Sequence, residues 1–256
     1  MEQQRRARRR RERIVYAAVA GVLAVAVGVA LAVQHATSAR TPRAVPVGAV
    51  ADTTGGIAAA DGMAIPVGSA SAPVTLTVYD DPRCSACRAF DTTYGPAVAQ
   101  LVQSGTLRLL VHPVTLIDAN LAGTSGSLHA GNALACAQDA GGFTAYRDLL
   151  YTRQPSENAD DYSSDRTLIT LARLIPALDT PTFEACVASG RYDAWVQRNY
   201  ADLIQLTDGR PATPTLYANG ARLDLPDAST PQAARTAFIA AIDELGGVTS
   251  TMTAGP

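Results

Sequence analysis

Hydrophobic and polar positions divide the chain into stretches of different character. Residues 14–33 are twenty consecutive positions without a charge. At 1.5 Å per residue, a helix over them spans about 30 Å, the thickness of one hydrocarbon core. Residues 34–62 are rich in Ala, Thr, Gly and Pro and carry no apolar period, which reads as a flexible tether. From residue 63 to 247 the periods are those of a folded domain, and the tail 248–256 reads as disordered.

Within the domain, Val74-Thr75-Leu76-Thr77-Val78-Tyr79 alternates and is rich in β-branched residues, predicting a buried strand that Asp80-Asp81-Pro82 stops. A helix is predicted from Cys87 to about Ser104, kinked or broken at Pro96. A second strand follows over 106–114. From about 120 to 206 the spacing turns helical: Phe143, Tyr146 and Leu149 share a face, as do Leu168, Leu171 and Leu174, and later Tyr192, Val196, Leu203 and Leu206. Thr180-Pro181 has the form of an N-cap followed by proline at the first helical position. Strands return at 215–217 and 222–223, with Asn219-Gly220 between them predicting a tight type I′ hairpin. A last helix is predicted over 231–245, capped by Thr230 and ended by Gly246-Gly247. Strand, helix, strand, helical block, hairpin and helix make an α/β domain with a helical insertion.

Charge adds topology. The net charge of −2 hides a split: residues 1–13 carry seven arginines against two glutamates, so the remainder carries −7. An acidic domain argues against nucleic acid as a partner. The arginines precede the apolar run, so the N-terminus is expected in the cytoplasm and the domain outside, with 14–33 as a single transmembrane anchor in the bilayer. A cleavable signal peptide is the alternative. Thr37-Ser38-Ala39 is a passable cleavage site, though not Ala-x-Ala, and the apolar run exceeds a usual signal core. Both readings place the domain where disulfides persist.

The four cysteines carry the candidate chemistry. Cys84-Ser85-Ala86-Cys87 lies directly between a predicted strand and a predicted helix. A thiol at a helix start meets unpaired N–H groups and the positive end of the helix dipole, which favour its thiolate. A second cysteine one turn on can close a disulfide or resolve a mixed one. Arg83 and Arg88 flank the pair and are positioned to stabilise the thiolate further. The alternatives are a structural Cys84–Cys87 link, which closes too short a loop to constrain the chain much, and half of a zinc site. Zinc needs two more ligands, and His35, His112 and His129 have no ligand-like spacing, so no metal is assigned. His112 reads as a surface or satisfied histidine, and His129 sits on a helix of small residues. Neither receives a role. Cys136 and Cys186 both fall in the helical block, and an even cysteine count outside the cytoplasm predicts that they pair. The alternative is two buried free thiols.

The chain resembles the DsbA-like branch of the thioredoxin superfamily, in the membrane-anchored form common in Gram-positive bacteria. The resemblance covers roughly residues 65–245. It rests on Gly68-Ser69-Ala70-Ser71-Ala72-Pro73-Val74 leading into a strand, on Asp81-Pro82-Arg83-Cys84-Ser85-Ala86-Cys87, and on Ala212-Thr213-Pro214-Thr215-Leu216-Tyr217-Ala218-Asn219-Gly220. It implies a thioredoxin-like fold with an inserted helical subdomain, and a cis Thr213–Pro214 bond that faces the cysteines and binds substrate. It further implies an extracytoplasmic thiol–disulfide oxidoreductase that needs no cofactor. Such an enzyme introduces disulfides into exported proteins through Cys84 and Cys87 and is reoxidised by a membrane redox partner. Two departures stand out. Many superfamily members carry a buried acid six residues before the first cysteine, where this chain has Val78, so proton transfer at Cys87 needs water or another group. Ser85-Ala86 also lacks the histidine found in the strongest oxidants. The same fold run as a reductase or isomerase, and a redox-inactive membrane-tethered binding module, remain the rival readings.

Overall fold

The computed structural model describes residues 44–52, 62–225 and 228–247. The alternating run forms strand β2 (Val74–Asp80), preceded by β1 (Ile65–Val67) and followed by helix α1 (Ser85–Gln103) and strand β3 (Leu107–Pro113). β2 and β3 pair in parallel, with Val78 opposite Val111 and Tyr79 opposite His112. A parallel pair requires a crossover, and α1 supplies it. The β2–α1 junction is therefore a sharp turn at the end of a central strand, and the cysteines lie on it. β1 joins β3 antiparallel, while β4 (Thr215–Ala218) joins the other edge of β2, also antiparallel. β5 (Ala221–Arg222) closes the five-stranded order β1-β3-β2-β4-β5.

Between β3 and β4 the chain is helical: α2 (Leu116–Asn120), α3 (Gly126–Asp139), α4 (Phe143–Thr152), a 3₁₀ turn (Asp161–Ser163), α5 (Asp165–Ala172), α6 (Pro181–Ala188) and α7 (Asp193–Leu206). α3 is the spine of this block. Its Ala130, Ala133, Ala135 and Ala137 are all fully buried, and small side chains let neighbouring helices approach closely. A Cβ on Gly131 would meet Val196 of α7 at 2.7 Å, so glycine sets that spacing. The final helix, α8 (Pro231–Leu245), packs on α1 through Phe90, Tyr94 and Phe238, with ring centroids 5.4 Å apart in both pairs.

Local signals operate where the sequence places them. Thr180 accepts the Phe183 N–H and Thr230 the Ala233 N–H, each with proline at the start of its helix. Asn219 and Gly220 both take positive φ, 48° and 82°, as a type I′ turn requires.

Three expectations change. α1 runs unbroken through Pro96, because Tyr94, Ala97, Val98 and Leu101 are buried around it and their packing outweighs one lost N–H. The helical block begins at Leu116 rather than 120. The tether reading of 34–62 fails for residues 44–52, which fold onto the domain. Val50 bridges Ala64, Val47 N–H donates to Asp139 at 2.8 Å, and Asp52 meets His112. Of the two readings of His112, surface or satisfied, the satisfied one holds, and the ring is fully buried. Its Nε2 lies 3.0 Å from Asp52 Oδ2, its Nδ1 3.4 Å from Asn199 Oδ1, and its ring stacks on Tyr79 at 4.3 Å. Among the described residues no helix is long and apolar enough to cross a membrane. The expected anchor at 14–33, the basic tip 1–13 and the tail 248–256 lie outside those residues.

Candidate active site

Cys84 is the N-cap of α1, with extended backbone (φ −70°, ψ 123°), and Cys87 lies in the helix's first turn. Both are free thiols; Cys84 is 6% exposed and Cys87 fully buried. Ile117 and Tyr151 are buried beside them, with Leu121 packed alongside. Only Cys84 shows any face to solvent, so only it is reachable by another sulfur.

The environments drive the two thiols apart. Cys84 is pulled down to about 6, first by the hydrogen bond from the Cys87 thiol, and then, against the opposing effect of burial, by the Thr213 side chain and the backbone N–H groups of Cys87 and Ala86. Cys87 is pushed well above an ordinary thiol by burial, by Cys84 and by the charge of Asp80, though the Asp81 N–H points at its sulfur from 3.5 Å. One thiol is thus mostly ionised at neutral pH while its neighbour keeps its proton.

The distant segment 213–214 meets this pair. The Cys84 sulfur lies 3.5 Å from the Thr213 carbonyl oxygen, and the Thr213–Pro214 bond is cis. Pro214 also lines an apolar groove with Ala86, Phe90, Tyr94, Leu225 and Pro231, between α1 and the start of α8. The structure therefore brings Cys84, Cys87, Thr213 and Pro214 together. Cys136 of α3 and Cys186 of α6 form a disulfide in the helical block, within a different buried cluster.

Arg83 does not serve as a free positive neighbour to the thiolate. It is buried, its Nη1 pairs with Asp118 at 2.6 Å and Asp160 at 2.9 Å, and its Nη2 donates to the Glu157 carbonyl at 2.8 Å. Its charge is neutralised by these acids, and its work is to dock the insert onto the active-site turn. Gly126 must be glycine there, since a Cβ would meet Asp160 Oδ1 at 2.6 Å and Arg83 Cδ at 2.9 Å. Arg88 is exposed.

Several residues of the site escape sequence reasoning. Asp80, read only as part of a strand stop, is buried, and its Oδ2 accepts from Arg147 Nε and Nη2 at 3.1 and 2.6 Å, while Arg147 Nη1 reaches Asp91 of α1 at 2.6 Å. Asp81 accepts the N–H groups of Arg83 and Ile117, each at 2.8 Å, and burial pushes it up to about 7. Gln154 donates to the carbonyls of Pro82 and Cys84 at 2.8 and 3.0 Å. Glu157 Oε1 accepts the Ser85 N–H at 2.5 Å. Only the Asp-Asp-Pro run is visible locally; Arg147, Gln154 and Glu157 lie sixty or more residues from the cysteines.

A family model described as Thioredoxin matches residues 60–238. The chain is similar to the reduced form of the disulfide bond oxidoreductase DsbG from Mycobacterium tuberculosis, at 27% identity and a TM-score of 0.57, covering 72% of this chain and 88% of that one. It is similar to oxidised DsbA of the same organism at 28% identity and a TM-score of 0.56, covering 72% and 93%. A curated relative, the serine/threonine-protein kinase PknE of Mycobacterium tuberculosis, is 30% identical over 130 residues; the match takes in 48% of this chain but only 22% of the kinase.

Proposed function

The chain belongs to the thioredoxin family, in its DsbA-like branch, and from that premise we propose that it is a thiol–disulfide oxidoreductase that introduces disulfides into exported proteins. The observation that carries the reading is the asymmetry of the pair: an ionisable, reachable Cys84 at a helix start, and a protonated, buried Cys87 one turn behind it.

The oxidised enzyme holds a Cys84–Cys87 disulfide. A substrate thiolate attacks the Cys84 sulfur, forming a substrate–Cys84 bond and breaking Cys84–Cys87. Cys87 leaves with the electron pair and takes a proton. A second substrate thiolate then attacks the substrate sulfur of the mixed disulfide. Cys84 departs as a thiolate, and two electrons have passed from substrate to enzyme. A thiolate held near 6 is a good leaving group, and stabilising it favours the reduced enzyme, which supports the oxidising direction. The Thr213 carbonyl beside Cys84, and the Pro214 position without an N–H, leave backbone edge for an extended substrate segment.

We place the domain outside the cytoplasm, tethered by the uncharged run 14–33, with a membrane partner that reoxidises the pair. The arginine cluster before the run supports that orientation, and the Cys136–Cys186 disulfide suits an oxidising compartment. On this reading 1–13 is the cytoplasmic tip, 63–247 the catalytic domain and the helices up to Leu206 its insertion.

The test is the reduction potential of Cys84–Cys87 in glutathione buffers, combined with trapping by Cys87→Ser. A value near about −120 mV supports an oxidase, and one near about −270 mV a reductase. Cys87→Ser should accumulate mixed disulfides through Cys84. A pair that neither cycles with glutathione nor traps substrate would leave a binding module.

A further inference from the structure

Glu157 occupies the loop between α4 and the 3₁₀ turn, seventy-two positions from Ser85, yet its carboxylate caps the first N–H of the active-site helix at 2.5 Å. Two anchors hold the loop there. Arg83 Nη2 donates to the Glu157 carbonyl, and Gln154, three residues earlier, donates to the carbonyls of Pro82 and Cys84. The first N–H groups of a helix have no partner within it and carry the positive end of its dipole. At α1 they are divided: those of Ala86 and Cys87 serve the Cys84 sulfur, and that of Ser85 serves Glu157. A carboxylate and a thiolate therefore share one helix start.

We propose that Glu157 is a positioning residue that sets the redox potential of the Cys84–Cys87 pair, its charge at the head of α1 opposing the Cys84 thiolate and keeping the pair less oxidising than the helix alone would make it. The inference rests on the oxidoreductase reading above. The Ser85 N–H holds the Glu157 carboxyl below the usual carboxylate range, so it stays charged wherever Cys84 titrates. The other charged or titratable groups around Cys84 are Cys87 and Arg88 on α1, Asp80 and Asp81 at the end of β2, Tyr151 of α4, and Arg83. Arg83 divides its charge between Asp118, Asp160 and the Glu157 carboxylate, and exposed Arg88 attracts Glu157 as well, so the two arginines offset part of that charge and the remainder acts on Cys84. Reduction of the pair takes two electrons and one proton, giving the Cys84 thiolate and the Cys87 thiol. Only the first product is a charge that Glu157 repels, so the effect falls on the reduced state.

The experiment compares the full-length chain with Glu157→Gln and Glu157→Asp. Each is equilibrated against reduced and oxidised glutathione, and each has its Cys84 thiolate titrated by ultraviolet absorbance. Gln keeps the hydrogen-bond acceptor and loses the charge. It should shift the glutathione equilibrium toward the reduced enzyme about two- to fivefold and move the Cys84 midpoint lower. Asp keeps the charge but withdraws it by a methylene and should fall between, which also serves should Gln disturb the loop. The difference between wild type and Gln should shrink in 1 M salt, where screening reaches about 3 Å. Identical equilibria and titrations, or a shift toward the disulfide, would overturn the role of Glu157 while leaving a cycling enzyme. A wild-type pair that fails to cycle at all would instead overturn the reading beneath it.

Discussion

Removing the Cys136–Cys186 disulfide by the double change Cys136→Ala/Cys186→Ala should cost stability and spare redox chemistry. The link joins α3 to α6 across a sequence separation of 50. Closing a loop of that length removes chain entropy from the unfolded state worth about 4 kcal/mol at 25 °C. For a domain of about 200 residues the unfolding entropy at the midpoint is roughly 0.4 kcal/mol/K, so Tm should fall by about 10 °C. The native state offers partial compensation. α6 is only eight residues long, but its Phe183 packs edge-on against Tyr146 at 5.7 Å, and Asn132 Nδ2 of α3 donates to the Val187 carbonyl at 3.0 Å. α6 should therefore stay docked in the folded variant. The assay is thermal melting by circular dichroism without reductant, alongside the glutathione equilibrium of Cys84–Cys87. A Tm loss below about 2 °C would refute the entropic account. A moved glutathione equilibrium would refute the separation of the two cysteine pairs, which lie in different buried clusters.

Further outcomes follow from the same geometry. In the reduced protein, alkylation of Cys84 should rise with a midpoint near pH 6, and Cys87 in Cys84→Ser should stay slow through pH 8; equal rates by mass spectrometry would contradict the asymmetry. Arg147→Met leaves Asp80 buried without its cation and should destabilise by about 3–5 kcal/mol in urea, while the double change with Asp80→Asn should recover a large part. Asp81 is raised from 3.8 to about 7, so it stabilises the fold most below about pH 4 and loses that contribution as pH rises through 7. The Tm of wild type relative to Asp81→Asn should therefore fall between those limits, and a constant difference would count against a raised Asp81.

Elements decided within a few residues are legible in the sequence. β2 follows from strict alternation, the hairpin from Asn219-Gly220, and helix starts from Thr180-Pro181 and Thr230-Pro231, because each is decided within a few residues. The cysteines were legible for the same reason: a strand stop, two thiols one turn apart and a helix form one local unit. What the sequence hides at the site is set by remote partners. Arg83 looks like a thiolate neighbour until Asp118 and Asp160 arrive from the insert to neutralise it. Residues 44–52 look like tether because they belong to a stretch rich in Ala, Thr, Gly and Pro without an apolar period. Yet Asp52 is 3% exposed, sixty positions from the histidine it meets. Glu157 has no sequence signal at all, since a glutamate in a polar loop is ordinary until its loop is folded over a helix start.

Val78 illustrates how a local absence can mislead. The position six before Cys84 carries no acid, and on sequence alone Cys87 has no evident group to exchange a proton with. Side chains on a strand alternate, so Val78 and Asp80 share one face of β2, two residues apart along it. Moving the acid by two keeps it under α1 and carries it toward the end of the strand where the cysteines sit. There its charge raises Cys87, and Tyr151 lies close to the same carboxylate. Arg147 takes both of its bonds on Oδ2, leaving Oδ1 buried with no partner at hydrogen-bonding distance. A shift by one residue would have turned the acid to the opposite face, where Tyr79 instead donates to Asp202 of α7. The face of the strand, not the distance counted from the cysteine, is what keeps an acid beside the buried thiol.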